Sequence, residues 1–567
     1  MYTNNKSILE LVSLLKQFGI KRIVVSPGSR HYPLVHSLEC DDDFKLYSVV
    51  DERSAAFFAI GLIQHTHEPV AVCCSSGTAC MNYGSAIVEA FYQKLPLLVL
   101  STDRDKILLN QLEDQMYDQI STFTKCTKYQ VQLPIVENDQ QRWYCNRIIN
   151  EALIELTHHG MGPVHINIPI RAHHANPFDI KELPIARKIT LHKASIGNWD
   201  KIAARLKGRK VMILWGQSVF QSKKLNEAVN AFSDSFGAVI LTDKISNCHY
   251  KNSINNTPIL KLILPNEKRH FTPDIVITVG GNYICNNEVK EFFLDEKIEH
   301  WQLGNENKIC DPFKKLTDIF EMDEDFFFEN VSKNSDFINI GNYEQNWQEM
   351  AKLKRIPHSK FDEVYAIGSL INRLPKNSDL QLANSCTIRI AHFFDIDSSI
   401  RVNCNRGVNG IDGSMSTAVG FAMDNPNPTF YITGDLSFFY DMNSLWIKHI
   451  PNNMRIMLLN NDGGAVMYDL PTIQNENLPI YLAANHKISA KGWVESVGFN
   501  YLSAKTKEDF DVNLEKFLDL NSNKPTVLEV FTSLPLDKFA ITKYYKDMDR
   551  RSFVTKVICR LKRIINK

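Results

Sequence analysis

The sequence predicts an α/β protein made of three doubly wound parallel-sheet domains. Three observations point there. At 567 residues the chain is too long for a single core, and three domains is the natural division. Short apolar runs of strand length alternate with helix-like stretches in three separate blocks, as in parallel sheets covered on both faces. The apolar runs also end in clusters of Gly, Ser, Asp and Asn, which a parallel sheet gathers at its carboxyl edge.

Composition narrows the class. Hydrophobic residues make up 44% and charged residues 23%, as in soluble globular proteins. Lys+Arg and Asp+Glu are both 64, so charge gives no reason to expect a nucleic-acid partner. No apolar run approaches a membrane span, and no integral membrane segment is expected. The first residues form an amphipathic helix pattern containing Lys6 and Lys16, without a secretory apolar core or cleavage site. The 12 cysteines include no CxxC, and Cys73, Cys74 and Cys404 lie in apolar runs. Reduced, buried thiols and a cytoplasmic location are the expectation.

Residues 1–185 form the first block. Its strand candidates are Arg22–Val25, Leu46–Val50, Pro69–Cys74, Pro96–Leu100, Tyr129–Leu133 and Val164–Ile168. Three of these ends carry unusual residues: Ser26-Pro27-Gly28-Ser29-Arg30, Asp51-Glu52-Arg53-Ser54 and Ser75-Ser76-Gly77-Thr78-Ala79. All fall at carboxyl ends and should converge. Residues 172–199, mixed in Pro, His and Lys, read as a linker. Residues 200–345 form a second block with candidates at Val211–Trp215, Val239–Thr242, Ile275–Val279 and His300–Leu303. It lacks a Gly-rich phosphate loop, and Gly280-Gly281-Asn282 reads as a turn. Residues 360–550 form the third block, with candidates at Leu380–Ala383, Arg401–Cys404, Thr429–Thr433, Met454–Leu459 and Thr526–Phe531. A Gly-rich loop and a small-residue helix, Gly407–Met423, separate the second from the third. Residues 551–567 are a basic tail, read as a solvated terminal helix.

The chemistry concentrates in the third block. The run Thr429–Thr433 ends in Gly434-Asp435, and one crossover later Met454–Leu459 ends in Asn460-Asn461-Asp462-Gly463. Singly, each is an ordinary turn signal. Together they bring a carboxylate, a side-chain amide oxygen and a backbone carbonyl to one sheet edge. That hard oxygen set suits Mg²⁺, which keeps few protein ligands and fills its octahedron with phosphate and water.

This pairing resembles the diphosphate-binding motif of thiamine diphosphate-dependent enzymes. The resemblance implies Asp435, Asn461 and the Gly463 carbonyl as metal ligands. Further segments extend it over nearly the whole chain: SPGSRHYPL (26–34), DERSAAFFAIG (51–61), SGTA (76–79), Asp103-Arg104, NRGVNGIDG (405–413) and GDLSFFYDMN (434–443). Together they resemble one branch, the 2-succinyl-5-enolpyruvyl-6-hydroxy-3-cyclohexene-1-carboxylate (SEPHCHC) synthases of menaquinone biosynthesis. The resemblance is weakest in the middle block.

What the resemblance implies is specific. The three domains would be pyrimidine-binding (1–185), central Rossmann-like (200–345) and diphosphate-binding (360–550). The reaction would be decarboxylation of 2-oxoglutarate on thiamine diphosphate with Mg²⁺, followed by transfer of the succinyl semialdehyde unit to isochorismate. The enzyme would be a homo-oligomer, dimer or tetramer, with active sites between chains. Glu52 would be the acid against the aminopyrimidine of the cofactor. Ile411 would be the apolar wedge that bends the cofactor, beside Asn409 and Gly410. Gly77, Thr78, Gly434, Leu436 and Ser437 would complete the cofactor cradle. Ser29, Arg30, Arg104 and Gln115 would face substrate from the first domain. Ser385, Arg389, Arg406, Met467 and Leu470 would do so from the third. Both substrates are dicarboxylates, and arginine is the planar, permanently charged partner for a carboxylate.

The sequence departs from the branch at a few positions. Where relatives carry a Lys-Arg pair after Gly280-Gly281, this chain has Asn286-Asn287 followed by Glu288. Asp105 stands where Pro is common, and Ala465 where a polar residue is common. A paralogue with the same type of donor and a different acceptor is the alternative these departures raise. A plain 2-oxoacid decarboxylase and a non-catalytic cofactor-binding homologue are further alternatives. The first is disfavoured by Arg389 and Arg406, the second by the presence of Glu52, Asp435 and Asn461 together.

Overall fold

The computed structural model describes residues 1–171, 177–189, 199–219, 221–255, 259–294, 296–305, 310–333, 342–469 and 478–550. Among them are three six-stranded, wholly parallel sheets. The first contains β1 (Arg22–Val25), β2 (Lys45–Ser48), β3 (Val70–Cys74), β4 (Leu97–Asp103), β5 (Tyr129–Gln132) and β6 (Val164–Pro169), in the order β2-β1-β3-β4-β6-β5. The second contains β7 (Val211–Trp215), β8 (Val239–Thr242), β9 (Ile254–Asn255), β10 (Ile275–Val279), β11 (Glu299–Leu303) and β12 (Leu316–Phe320), in the order β12-β11-β10-β7-β8-β9. The third contains β13 (Asp379–Leu382), β14 (Arg401–Cys404), β15 (Thr429–Gly434), β16 (Met454–Asn460), β17 (Asn500–Ala504) and β18 (Thr526–Phe531), in the order β14-β13-β15-β16-β18-β17. The first and third sheets thus share one winding order. The chain divides into two compact units.

The first unit comprises Met1–Ala194, Leu374–Thr387 and Ser399–Phe531 and holds the first and third sheets. Strands β3, β4 and β16 are buried along their whole length, which is why they read as continuous apolar runs rather than alternating ones. The N-terminal helix α1 (Lys6–Gln17) starts where the Asn5 side chain accepts from the Ser7 and Ile8 amides. Its Ile8, Leu11, Val12 and Leu15 enter the core beneath the first sheet. Helix α2 (Glu52–Thr66) is capped by Asp51, which accepts from the Ser54 amide, and ends at His67 in the left-handed conformation.

Two glycines let α2 pack directly on α6 (Ser414–Ala422), the small-residue helix expected from the sequence. A Cβ on Gly61 would lie 2.0 Å from the Thr417 carbonyl oxygen, and one on Gly420 would lie 2.0 Å from that of Phe58. Asp424, just beyond α6, fixes the same seam from its end. Its carboxylate accepts from Arg22 Nε at 3.0 Å, Lys45 Nζ at 2.6 Å and the Tyr47 hydroxyl at 2.6 Å.

The second unit comprises Ser195–Arg373, Ile388–Ser398 and Thr532–Lys567 and is organised on the second sheet. Its core is aromatic, with Trp215, Phe232, Trp301, Phe327 and Phe328 buried together. The loops after β7 and β10, where a doubly wound sheet opens its ligand crevice, close on each other instead. Gln217 donates its amide to the Asn282 carbonyl at 3.0 Å, and Gly281 donates to that of Gln217 at 2.8 Å. A Cβ on Gly216 would meet the Gly281 oxygen at 2.0 Å. The Gly280-Gly281-Asn282 segment is therefore a packed turn, as its sequence suggests.

Three differences from the sequence reading have physical causes. The stretch between β15 and β16 is a six-residue helix, α7 (Asp435–Tyr440), then a 3-10 turn, rather than one crossover helix. Asp441 interrupts it, because its buried carboxylate accepts the Ser416 amide at 2.7 Å and hydroxyl at 2.8 Å. Strands β9, β12 and β17 were not legible as apolar runs, because they are edge strands and β12 and β17 are only partly buried. Residues 177–189 of the expected linker are tied to the first sheet's layer: Tyr2 pairs with Ile180, and Ser13 Oγ accepts the Ala186 amide at 2.8 Å. The rest of that stretch and the basic tail lie outside the described residues. No described helix is long and apolar enough to cross a membrane.

Candidate active site

The winding order of the first sheet reverses between β1 and β3, and there its carboxyl edge gathers the expected residues. The β1 loop reaches the β3 loop so closely that a Cβ on Gly28 would lie 2.6 Å from that of Ser75. Arg104, at the end of β4, donates to Ser76 Oγ at 3.1 Å and to the Gln115 carbonyl at 3.2 Å, and its Nε lies 3.4 Å from Glu113. Gly77 takes a positive φ, its amide donates to Gln119 Oε1 at 2.6 Å, and a Cβ there would meet Gln115 at 3.0 Å. Arg30 donates to the Ile170 carbonyl at 3.2 Å. Burial, with Arg104 nearby, pulls its guanidinium below the ordinary value. Ser29, Thr78 and Gln115 are exposed at this edge.

Glu52 opens α2 at the same edge. Its carboxylate Oε2 accepts from Asn82 Nδ2 at 3.3 Å. Burial raises its pKa above the ordinary glutamate value, with Asn82 and the backbone pulling the other way. The neighbours on either side face the third sheet's layer. Asp51 accepts from Asn443 Nδ2 at 2.9 Å, and Arg53 donates to the Tyr440 carbonyl at 2.9 Å.

In the third sheet the order reverses between β13 and β15, and Asp435 follows β15 there. One carboxylate oxygen accepts the Leu436 amide at 2.7 Å and the other the Gly463 amide at 2.9 Å. The Asn461 backbone also bonds to Asp435, so the two motif halves meet as expected. Burial raises the Asp435 carboxyl, opposed first by His486, whose Nε2 lies 3.3 Å away. A buried carboxylate is costly without a compensating cation, and this one lies against the turn that carries the Asn461 amide and the Gly463 carbonyl. These donors fit a small divalent cation held with a diphosphate.

The 405–413 loop supplies the remaining contacts of this layer. Asn384 donates to the Asn405 carbonyl at 2.6 Å and the Gly410 carbonyl at 2.7 Å. Arg406, buried, donates to Asn384 Oδ1 at 3.2 Å. Asn409 has a φ of 62°, which turns the chain so that Ile411 stands exposed. An exposed isoleucine at a loop tip beside the Asp435 layer fits an apolar wedge. The Ile411 carbonyl accepts from Ser437 Oγ at 2.6 Å, tying the wedge to α7. Leu436 packs beside the Gly464 turn, and Met467 is half-buried in the turn that follows. Ser385 takes a φ of 71° just before helix α5 (Cys386–Ala391).

Other expected residues fall in the second unit or outside the described residues. Arg389, exposed on α5, belongs to the second unit, near Cys285 and Tyr545. Asn286 also lies in the second unit, where its Oδ1 accepts the Tyr283 amide at 3.0 Å. Leu470 lies outside the described residues. Sequence reasoning missed Asn82 and His486. Asn82, which caps the end of the short helix α3 (Thr78–Met81) that begins within SGTA, was within reach of a spacing argument. His486 carries no motif and meets Asp435 only through the fold.

Comparison with known proteins agrees with this geometry. The family model described as thiamine pyrophosphate enzyme, N-terminal TPP binding domain, matches residues 10–122. The chain is 38% identical to the 2-succinyl-5-enolpyruvyl-6-hydroxy-3-cyclohexene-1-carboxylate synthase of Phocaeicola vulgatus, over 97% of this chain and 100% of that one. It is 38% identical to the synthase of Bacteroides fragilis over the same shares, and 35% identical to that of Flavobacterium johnsoniae over 96% and 98%. In fold it is similar to the benzoylformate decarboxylase of Polynucleobacter necessarius, with a TM-score of 0.70 at 16% identity over 94% of this chain and 99% of that one. With both motif halves joined at Asp435 and this extent of similarity, the chain is a thiamine diphosphate-dependent carboligase and belongs to the SEPHCHC synthase family.

Proposed function

We propose that this enzyme decarboxylates 2-oxoglutarate and joins the resulting four-carbon unit to isochorismate, with Mg²⁺ alongside thiamine diphosphate. The observation that carries the reading is the buried Asp435 carboxylate held against the Asn461–Gly463 turn where the third sheet's winding reverses. Asp435, the Asn461 amide oxygen and the Gly463 carbonyl would hold the metal and, through it, the diphosphate. Thiamine diphosphate, when bound, supplies the electron sink on which a 2-oxoacid loses CO₂.

The chain's own groups do the rest. Glu52, its pKa raised by burial, would be the acid that holds a proton beside the cofactor's aminopyrimidine. Ile411 would be the apolar wedge against the cofactor. Gly77, Thr78, Asn409, Gly410, Gly434, Leu436 and Ser437 shape its cradle. Ser385, Arg389 and Arg406 would hold the donor's distal carboxylate or neighbouring substrate groups, and Ser29, Arg30, Arg104 and Gln115 would face substrate from the first domain. Met467 and Leu470 would be the apolar residues flanking cofactor and substrate. We propose three domains, 1–185, 200–345 and 360–550, each built on one sheet. A homo-oligomer with its sites between chains, in the cytoplasm, completes the reading.

Mass spectrometry of products from the protein with thiamine diphosphate, Mg²⁺, 2-oxoglutarate and isochorismate tests it. The SEPHCHC adduct is expected. CO₂ or succinyl semialdehyde formed in the presence of isochorismate, without the adduct, would mean a different acceptor. The neutral Asn286 and Asn287 would then be the first positions to examine.

A further inference from the structure

We infer that Glu89 is a positioning residue that holds the 405–411 loop, and with it Arg406 and the Ile411 wedge, in the orientation the ligands require. Helix α4 (Gly84–Gln93) of the first sheet's layer carries Glu89, which is 2% exposed. Its Oε1 accepts the Gly407 amide at 2.8 Å and Gln93 Nε2 at 2.6 Å. Its Oε2 accepts the Val408 amide at 2.9 Å. Gln93 passes the restraint on, donating to Asn405 Oδ1 at 3.3 Å. Three donors thus converge on two oxygens. Burial raises the Glu89 pKa and these three bonds oppose it; a carboxylate can accept all three, whereas a glutamine would turn N–H groups toward donors.

The geometry around Glu89 is tight on one side and open on the other. A Cβ on Gly407 would lie 2.7 Å from the Glu89 carbonyl oxygen, so the loop approaches α4 as closely as a glycine permits. Next to it lies a cavity of about 220 Å³, between Phe57, Val88 and Glu89 on one side and Val408, Gly410 and Asp412 on the other. A loop that borders a partly open cleft is packed on one side only, so a specific tether adds to its hold. Asn384 tethers the loop at the carbonyls of Asn405 and Gly410. Glu89 tethers it at the intervening amides, on the arc that carries Arg406 and leads into Asn409.

This role rests on the proposed part of Arg406 and Ile411 in ligand binding. It is tested with Glu89→Gln, Glu89→Asp and Gln93→Leu in the full chain. Three quantities are read: amide hydrogen exchange of peptides spanning 404–413 in unliganded protein, thiamine diphosphate–Mg²⁺ affinity by calorimetry, and kcat and KM. For Glu89→Gln, exchange in the loop should rise by about tenfold and cofactor affinity fall by about tenfold, the effect of losing a charge-assisted bond. kcat should fall more than KM rises. Glu89→Asp should recover part of each effect, and Gln93→Leu should show a smaller, loop-confined rise. A folded Glu89→Gln protein with wild-type loop exchange and affinity overturns the inference. So does faster exchange spread evenly over α4 and the first sheet. If Glu89→Gln does not fold, Gln93→Leu decides by the same criterion. Failure of the wild type itself to bind thiamine diphosphate would refute the ligand reading, and loop exchange would still judge Glu89.

Discussion

Glu52 has two opposed influences on its proton: burial, which raises its pKa, and the Asn82 amide, which favours the charged form. Two predictions follow from that balance. Glu52→Gln should lower turnover at least 100-fold, at the low end of what a positioned acid–base group contributes, while cofactor affinity by calorimetry stays within a few-fold of wild type. Asn82→Ala removes a group that lowers the Glu52 pKa, so the acidic limb of the kcat/KM profile should move to higher pH; an unmoved limb would remove Asn82 from the site. Asp435 behaves differently, because it is the buried partner a cation would satisfy. Asp435→Ala should abolish Mg²⁺-dependent thiamine diphosphate binding, whereas metal-independent binding at wild-type strength would refute its role as a ligand.

Among elements, the seam between α2 and α6 is the most constrained, and its predictions concern stability. Gly420→Ala forces a methyl group into the Phe58 backbone, a collision with no flexible side chain to yield, and should destabilise the protein by about 1–3 kcal/mol. Chemical denaturation followed by circular dichroism would show it. Asp424 adds a pH dependence. Burial alone would raise its pKa, but the bonds from Lys45, Tyr47 and Arg22 outweigh burial and hold it below the usual aspartate value. A depressed carboxyl stabilises the fold above its unfolded pKa and loses that contribution as pH falls through the folded one. Asp424→Asn should therefore melt lower than wild type at pH 7, with the gap closing in the acid range below the ordinary aspartate value. A gap independent of pH would refute the charge argument.

The same elements show why some of the fold was legible in the chain and some was not. The central strands of each sheet are buried on both faces and so stand out as apolar runs. Their carboxyl-end residues, Ser26–Arg30, Glu52 and Gly434–Asp435, follow from the geometry of any parallel sheet. Edge strands β12 and β17 mix polar with apolar residues and gave no such signal. Glu89 and His486 were invisible for another reason: each is an ordinary residue in its own segment and gains its role only from a partner hundreds or dozens of positions away.

At the scale of the whole molecule, the proposed oligomer predicts which chains share a site. A mixture of Glu52→Gln and Asp435→Ala chains, co-expressed and purified as the hetero-oligomer, separates the arrangements. Sites between chains would leave one intact site per mixed dimer and restore activity toward half the wild-type level. Sites within one chain would leave the mixture as inactive as either parent.

The glycine contact between α2 and α6 also bears on how the protein is made. Gly61 emerges early in synthesis, but its partner surface at Thr417–Gly420 is among the later segments to appear. During that interval α2, with Phe57 and Phe58 beside Gly61, lacks the helix it is shaped to fit. The nascent first domain therefore carries an apolar, glycine-notched face until more than two-thirds of the chain has been translated, a state exposed to misassociation. Slow translation of the intervening segment, or loss of a holding chaperone, should lower soluble yield more than any change in the finished protein's stability would suggest.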